Sequence, residues 1–224
     1  MSENKPWNLL ADIGGTNARF AVHDITSDTL ENVIILSVAE HPGFMDAMQY
    51  LLTSIRSLGE WADWPQAACL AVACPVDRET INFTNSNWTF TQTALSHALN
   101  NIPLELINDF SAVAHSIPHL TSADWHQIGG LEALSDKPVS ILGPGTGLGV
   151  STLIPYPSGY SVMDGEGGHI DFAPVNAREI ALLTTLQKQY PRVSIERLLS
   201  GQGIENIYQS LCQIEDCTPS FYSA

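Results

Sequence analysis

The 224-residue chain carries 24 Asp and Glu against 9 Lys and Arg, a formal charge of −15, with 44% hydrophobic and only 15% charged residues. This composition excludes wholesale disorder, and the length allows one or two domains with a sizeable core. Scarce cations exclude a nucleic-acid backbone and an anionic membrane surface as partners, since both are held by clustered Lys and Arg.

Taken in chain order, the N-terminus shows no apolar signal core before Asp12, and the longest apolar stretch, residues 67–76, is too short for a bilayer. A soluble, cytoplasmic protein is expected. Residues 7–13 read as a strand, Asp12-Ile13-Gly14-Gly15-Thr16-Asn17 as a turn, and residues 18–22 as the returning strand of a hairpin. Residues 33–38 read as a third strand. Phe44, Met48, Leu51, Leu52 and Ile55 have the spacing of an amphipathic helix over 44–58. A buried strand over 68–73, a helix over 91–99, a strand over 104–107 and a helix over 110–117 follow. Helices between strands predict an α/β architecture with a mixed sheet. The segment from Pro118 to Trp125 is the expected boundary between an N-terminal domain, 1–118, and a second domain, 119–224.

The second half begins the pattern again. Residues 139–142 and 150–154 read as strands around Gly143-Pro144-Gly145-Thr146-Gly147-Leu148-Gly149. Residues 160–163 lead into a second glycine-rich turn, Asp164 to His169, and another strand. Helices are expected over 177–190, 194–200 and 204–214. The echo of strand-glycine turn-strand in the two halves suggests a duplicated unit.

Glycines after a strand let backbone N–H groups approach an anion closely. Neither turn is a Walker motif, since neither contains Gly-Lys-Ser/Thr, nor a Rossmann fingerprint, since a strand rather than a helix follows. One such turn alone reads as a plain hairpin, but two of them with Asp12 at a strand end favour a phosphate clamp. Arg19 beside the first turn has two readings, a surface ion pair or a phosphate contact. Asn108-Asp109 ends a strand where a helix begins. From this pair alone, helix capping by Asp109 is the favoured reading and a general base the functional one. Glu166 and His169, in Glu-Gly-Gly-His, suit hydroxyl recognition, while Glu196 after Ser194 reads most simply as a favourable charge at a helix start. Cys69 and Cys74 lie in the buried strand. Cys212 and Cys217 lack a second pair, so reduced thiols are expected rather than a zinc site.

Together the motifs resemble the bacterial ATP-dependent glucokinase family. The residues are Ala11 to Arg19, Ala73-Cys74-Pro75, Thr84-Asn85-x-x-Trp88 and Ile107-Asn108-Asp109-Phe110. Gly143-x-Gly145-Thr146-Gly147-Leu148-Gly149-Val150, Gly165-Glu166-Gly167-Gly168-His169-x-Asp171-Phe172-Ala173-Pro174 and Glu196-Arg197-Leu198-Leu199-Ser200-Gly201 complete the set. Their order and spacing match from near residue 8 to near 210.

The resemblance implies a two-lobed hexokinase/actin-like ATPase fold of ribonuclease H-like units, closing on sugar and nucleotide. It implies ATP and glucose as substrates, Mg2+ as the cofactor ion, and Asp109 as the catalytic base. Asn108, Asp109, Glu166, His169 and Glu196 are the implied sugar ligands. Asp12, Gly14, Gly15, Thr16 and Asn17 form the implied first phosphate loop, with Asp12 near Mg2+ through water, and Gly145, Thr146 and Gly147 the second. Family members continue past the equivalent of residue 224, into an adenosine motif and a terminal helix. The chain therefore reads as a shortened form or fragment with an incomplete second lobe. A homodimer is a further partner expectation. Two rival readings stand beside it: a non-catalytic sugar-binding module, and a kinase of the same fold for another hexose.

Overall fold

A computed structural model of the chain describes residues 4–83, 86–132, 134 and 136–220. The motif residues Thr84 and Asn85 lie outside the described residues. The chain divides into two compact units, Met1–Ala112 and Val113–Ala224.

The first unit contains β1 (Trp7–Ile13), β2 (Asn17–Asp24), β3 (Thr29–Ser37), α1 (Phe44–Leu58), β4 (Ala68–Val72), β5 (Thr80–Asn82), β6 (Thr89–Thr91), α2 (Gln92–Ala98) and β7 (Leu104–Asn108). A five-stranded sheet runs β3-β2-β1-β4-β7. The first three strands form an antiparallel meander, while β4 and β7 run parallel to β1. The sheet is mixed for a physical reason: tight turns join the meander, whereas parallel strands need long crossovers, here through α1 and through β5, β6 and α2. α1 lays Phe44, Ala47, Met48, Leu51, Leu52 and Ile55 against the core, and Gly59 ends it with a left-handed φ of 69°. Trp7, Leu9, Phe20, Val22 and Leu70 from the strands complete that core.

The register of the parallel strands sets where their ends lie. Ile13 pairs with Val72, and Val72 with Asn108. The carboxyl ends of the three parallel strands are therefore level, so the turn after β1, the Ala73-Cys74 segment after β4 and the residues after β7 emerge at one edge. In open α/β sheets ligands bind at that edge.

The helix α3 (Asp109–Ser116) follows β7 directly, and the division between the units falls within it. The second unit holds a three-stranded antiparallel sheet, β10-β9-β8, built from β8 (Val139–Pro144), β9 (Leu148–Tyr156) and β10 (Gly159–Gly165). α4 (Ala177–Leu186) and α5 (Gly201–Ile214) pack on each other. Leu182, Leu186, Val193 and Leu198 form one buried apolar cluster here. Asn176 and Ser200 cap the two helices by accepting the N–H groups of Glu179 and Gly203.

Three sequence expectations are corrected, and one pair of strands is added. The β5–β6 pair was not foreseen, since three-residue strands are too short to show a period. The helix expected over 177–190 stops at Leu186. The helix expected over 194–200 is one 3-10 turn, Ile195–Arg197, because Ser200 begins a new helix as its cap. After His169 the expected strand is reduced to a single bridge between Asp171 and Ser194.

Candidate active site

Two clusters of the expected residues form, one in each unit. In the first unit the β1–β2 turn closes with Gly14 N–H donating to Asn17 O at 2.9 Å, and Val38 N–H donating to Thr16 O at 2.9 Å. Asp12 and Arg19 are cross-strand partners, and Arg19 donates to Asp12 Oδ2 at 2.9 Å. Of the two readings of Arg19, the ion pair is the one observed. It is exposed and contributes little to stability.

At the end of β7 the cap of α3 is Asn108, which corrects the capping reading of Asp109. Asn108 Oδ1 accepts from Phe110 N–H at 2.9 Å and Ser111 N–H at 3.3 Å. The Asp109 carboxylate is partly buried and accepts the Phe110 N–H at 2.9 Å. Burial pushes the Asp109 carboxyl above its ordinary value, and the Asp12 charge pushes the same way against opposing hydrogen bonds. Cys74, just beyond β4, is pushed up to about 11 by burial and by the Asp109 charge. Asp12, Cys74 and Asp109 thus share one electrostatic neighbourhood at the carboxyl edge. Such a perturbed carboxylate at a strand end is a functional-site signal.

A cleft of about 540 Å³ opens beside this turn, lined by Gly15, Thr16, Ser37, His41, Ser86 and Trp88. That volume suits a small molecule. Of these residues, Ser37, His41 and Ser86 were not singled out from the sequence. Trp88 holds the wall by donating its Nε1–H to His41 O at 3.2 Å.

In the second unit the β8–β9 turn closes with Gly145 N–H donating to Gly147 O at 2.8 Å. Glu166 and His169 flank the 3-10 turn Gly167–His169, with 3.6 Å between Glu166 Oε2 and His169 Nε2 and both side chains exposed. The intervening glycines are there for close packing rather than flexibility. A Cβ on Gly168 would lie 2.2 Å from Leu148 O, and one on Gly167 would lie 2.8 Å from Val150 Cγ1. Arg192, which sequence reasoning missed, fixes this turn from behind. Its guanidinium donates to His169 O at 2.8 Å and to Asp171 Oδ1. Only the pairing of Asp171 and Ser194 across the chain brings Arg192 there, so no local signal marks it.

Glu196 lies in the first turn of the 3-10 helix Ile195–Arg197, and its carboxylate has a further partner. Its Oε2 accepts the Leu148 N–H at 2.9 Å, at the base of the Gly145–Gly147 turn. The second cluster therefore comprises Gly145, Thr146, Gly147, Glu166, His169 and Glu196.

A mixed α/β chain carrying two strand–glycine turn–strand hairpins, with a carboxylate at a parallel-strand end, has the hexokinase-like fold of sugar kinases. The solved structure of a glucokinase from an Antarctic psychrotroph superposes with a TM-score of 0.76 at 33% identity, over 96% of this chain and 67% of that one. The Glucokinase family model matches residues 9–224, and the chain belongs to that family. Among curated relatives, the glucokinase of Photorhabdus laumondii is 37% identical over 213 residues, and that of Nitrobacter hamburgensis 41% over 212. These matches cover 95% and 94% of this chain and 64% of each relative, so the chain spans just under two thirds of their length.

Proposed function

We propose that the chain forms part of an ATP-dependent glucokinase, transferring the γ-phosphoryl group of ATP to the 6-hydroxyl of glucose. The observation that carries this reading is Asp109. It is a carboxylate of raised proton affinity, beside Asp12 at the level ends of β1, β4 and β7, in a chain of the Glucokinase family.

In the proposed step the glucose O6 forms a bond to the γ-phosphorus, the bond from that phosphorus to the ADP oxygen breaks, and the O6 proton passes to Asp109. A raised affinity for that proton makes Asp109 a better acceptor than an ordinary surface carboxylate. Phosphoryl transfer asks mainly for positioning and charge neutralisation. Asn108, with its Oδ1 engaged on α3, offers its amide N–H groups to a sugar oxygen. Glu166, His169 and Glu196 supply the remaining hydroxyl partners. Backbone N–H groups of the Gly14–Asn17 and Gly145–Gly147 turns cradle phosphate, which suits a chain whose charge of −15 leaves few cations for the purpose.

Mg2+ fits this donor set. In phosphoryl-transfer sites Mg2+ keeps several waters and takes one or two carboxylates plus substrate phosphates. Asp12, exposed and facing Asp109 electrostatically, would hold it through water. The ion, when bound, neutralises charge on the phosphates.

The product would be glucose 6-phosphate at the entry of glycolysis. Four free cysteines agree with a reducing cytoplasm, and among the described residues no helix is long and apolar enough to cross a membrane. The test is a panel of hexoses and amino sugars with coupled ADP detection, beside calorimetry of glucose binding. Turnover highest with glucose is expected. Turnover with another hexose alone would reassign the substrate, and glucose binding without turnover would reassign the chain as a sugar-binding module.

A further inference from the structure

We propose that Glu196 is a positioning residue for the Gly145–Gly147 turn, so that the carboxylate assigned to a sugar hydroxyl also couples the sugar to the phosphate-binding turn. The coupling rests on the sugar-kinase reading for its ligands, and on the second unit alone for its geometry.

The Leu148 N–H belongs to the first residue of β9, where the turn ends, and it donates to Glu196 Oε2 at 2.9 Å across 48 positions of sequence. The approach is close enough to decide a residue. A Cβ on Gly147 would lie 2.4 Å from that oxygen and 3.2 Å from the carboxyl carbon. Neither Gly145 nor Gly147 adopts a positive φ. What a Cβ at 147 would meet is the end of the Glu196 side chain, which would have to leave its place on the turn.

The same residue is held from a second side. Gly168, between Glu166 and His169, packs where a Cβ would be 2.2 Å from Leu148 O. A third tie comes from α5, whose Gly201 N–H donates to Gly145 O at 2.8 Å. Ser200 joins these pieces by donating its Oγ–H to Glu196 O at 2.8 Å while accepting the Gly203 N–H at 2.9 Å. The two turns that carry Glu166, His169 and Glu196 thus both bear on Leu148.

A carboxylate has two oxygens. Oε2 is on Leu148, and Oε1 makes no hydrogen bond among the described residues, so it can accept from a sugar hydroxyl without releasing the turn. A sugar held there immobilises the side chain that clamps the turn. By linkage, a phosphate ligand that orders the turn must favour the sugar by the same factor.

Amide hydrogen exchange of the 224-residue chain, read by NMR with and without glucose, tests this. Leu148 N–H is expected to exchange at least about tenfold faster in Glu196→Ala than in wild type, and Glu196→Gln, which keeps an oxygen acceptor, should stay within about threefold. Gly147→Ala leaves Glu196 intact but displaces its carboxylate, and should reproduce the Glu196→Ala rate. Leu70 in β4, in the other unit, should be unchanged in all three, which separates loss of the clamp from loss of the fold. Saturating glucose should slow Leu148 exchange in wild type and not in Glu196→Ala. In glucose phosphorylation, Glu196→Ala should raise KM for both ATP and glucose, and His169→Ala for glucose alone.

Wild-type exchange at Leu148 in Glu196→Ala overturns the proposal, as does an unchanged ATP KM. If calorimetry detects no glucose binding, the sugar reading fails on its own, while the ligand-free exchange rates still decide the clamp.

Discussion

The turn joining β1 to β2 and the turn joining β8 to β9 each close with one short backbone hydrogen bond, Gly14 to Asn17 and Gly145 to Gly147. Their surroundings differ. The first stands on a five-stranded sheet whose buried face packs Trp7, Leu9, Phe20 and Val22 with the apolar side of α1. Its charged neighbours, Asp12 and Arg19, face each other across the same hairpin. The second stands on three antiparallel strands, and the carboxylate that grips it comes from Glu196, far along the chain. One turn is supported by its own hairpin and a deep core. The other depends on segments that must first fold back to reach it.

The largest expected effect lies in the core beneath the first turn. Phe44 is fully buried and stacks on Phe90 with ring centroids 4.3 Å apart. Phe44→Ala should cost about 3–5 kcal/mol in urea unfolding. Leu186→Ala in the second unit should cost less, since that side chain packs into a small cluster with Leu182, Val193 and Leu198. Equal losses would erase the contrast between the two supports.

A smaller effect separates the glycines. Gly168→Ala drives a Cβ into Leu148 O, and should cost about 1–3 kcal/mol. Gly14→Ala meets only Asn17 O at 3.5 Å with no positive φ, and should change stability by no more than about 0.5 kcal/mol. Thermal unfolding of the two variants side by side checks this, and a costly Gly14→Ala would mean the first turn is more constrained than its contacts indicate.

The smallest effect concerns charge in the first cluster. The native state holds the Asp109 proton more tightly than the unfolded chain, whose ordinary value is 3.8. Stability is therefore lost as pH rises from 3.8 through the raised native value, and the loss is complete above it. Asp109→Asn should raise the free energy of unfolding at pH 7 by less than about 1 kcal/mol for a partly exposed group, and the gain should vanish below pH 3.8. A destabilised variant at pH 7 would show that the ionised carboxylate is favourable in the fold.

Much of the first unit was legible in the sequence because its determinants are local. The α1 stripe is periodic, the β1–β2 turn is written in consecutive residues, and β4 and β7 are apolar runs ended by turn residues. The exchange of roles between Asn108 and Asp109 was not legible, since both cap helices well and only the orientation of each side chain decides. In the second unit, Glu166 and His169 could be picked out as polar residues of one glycine-rich turn, but the tight packing of Gly168 on β9 could not. Arg192 and the bond from Leu148 to Glu196 arise from pairing between distant segments, which leaves no periodic trace.

Acceptance of the sugar proton by Asp109 is tested most directly by glucose-dependent ADP formation against pH, for wild type and Asp109→Asn, in the enzyme at the full length of its relatives. Wild type should show an acid limb lying above 3.8. Asp109→Asn should lose about 10²–10⁴-fold in kcat while calorimetry still detects glucose binding. Turnover within about tenfold of wild type in Asp109→Asn would contradict the account.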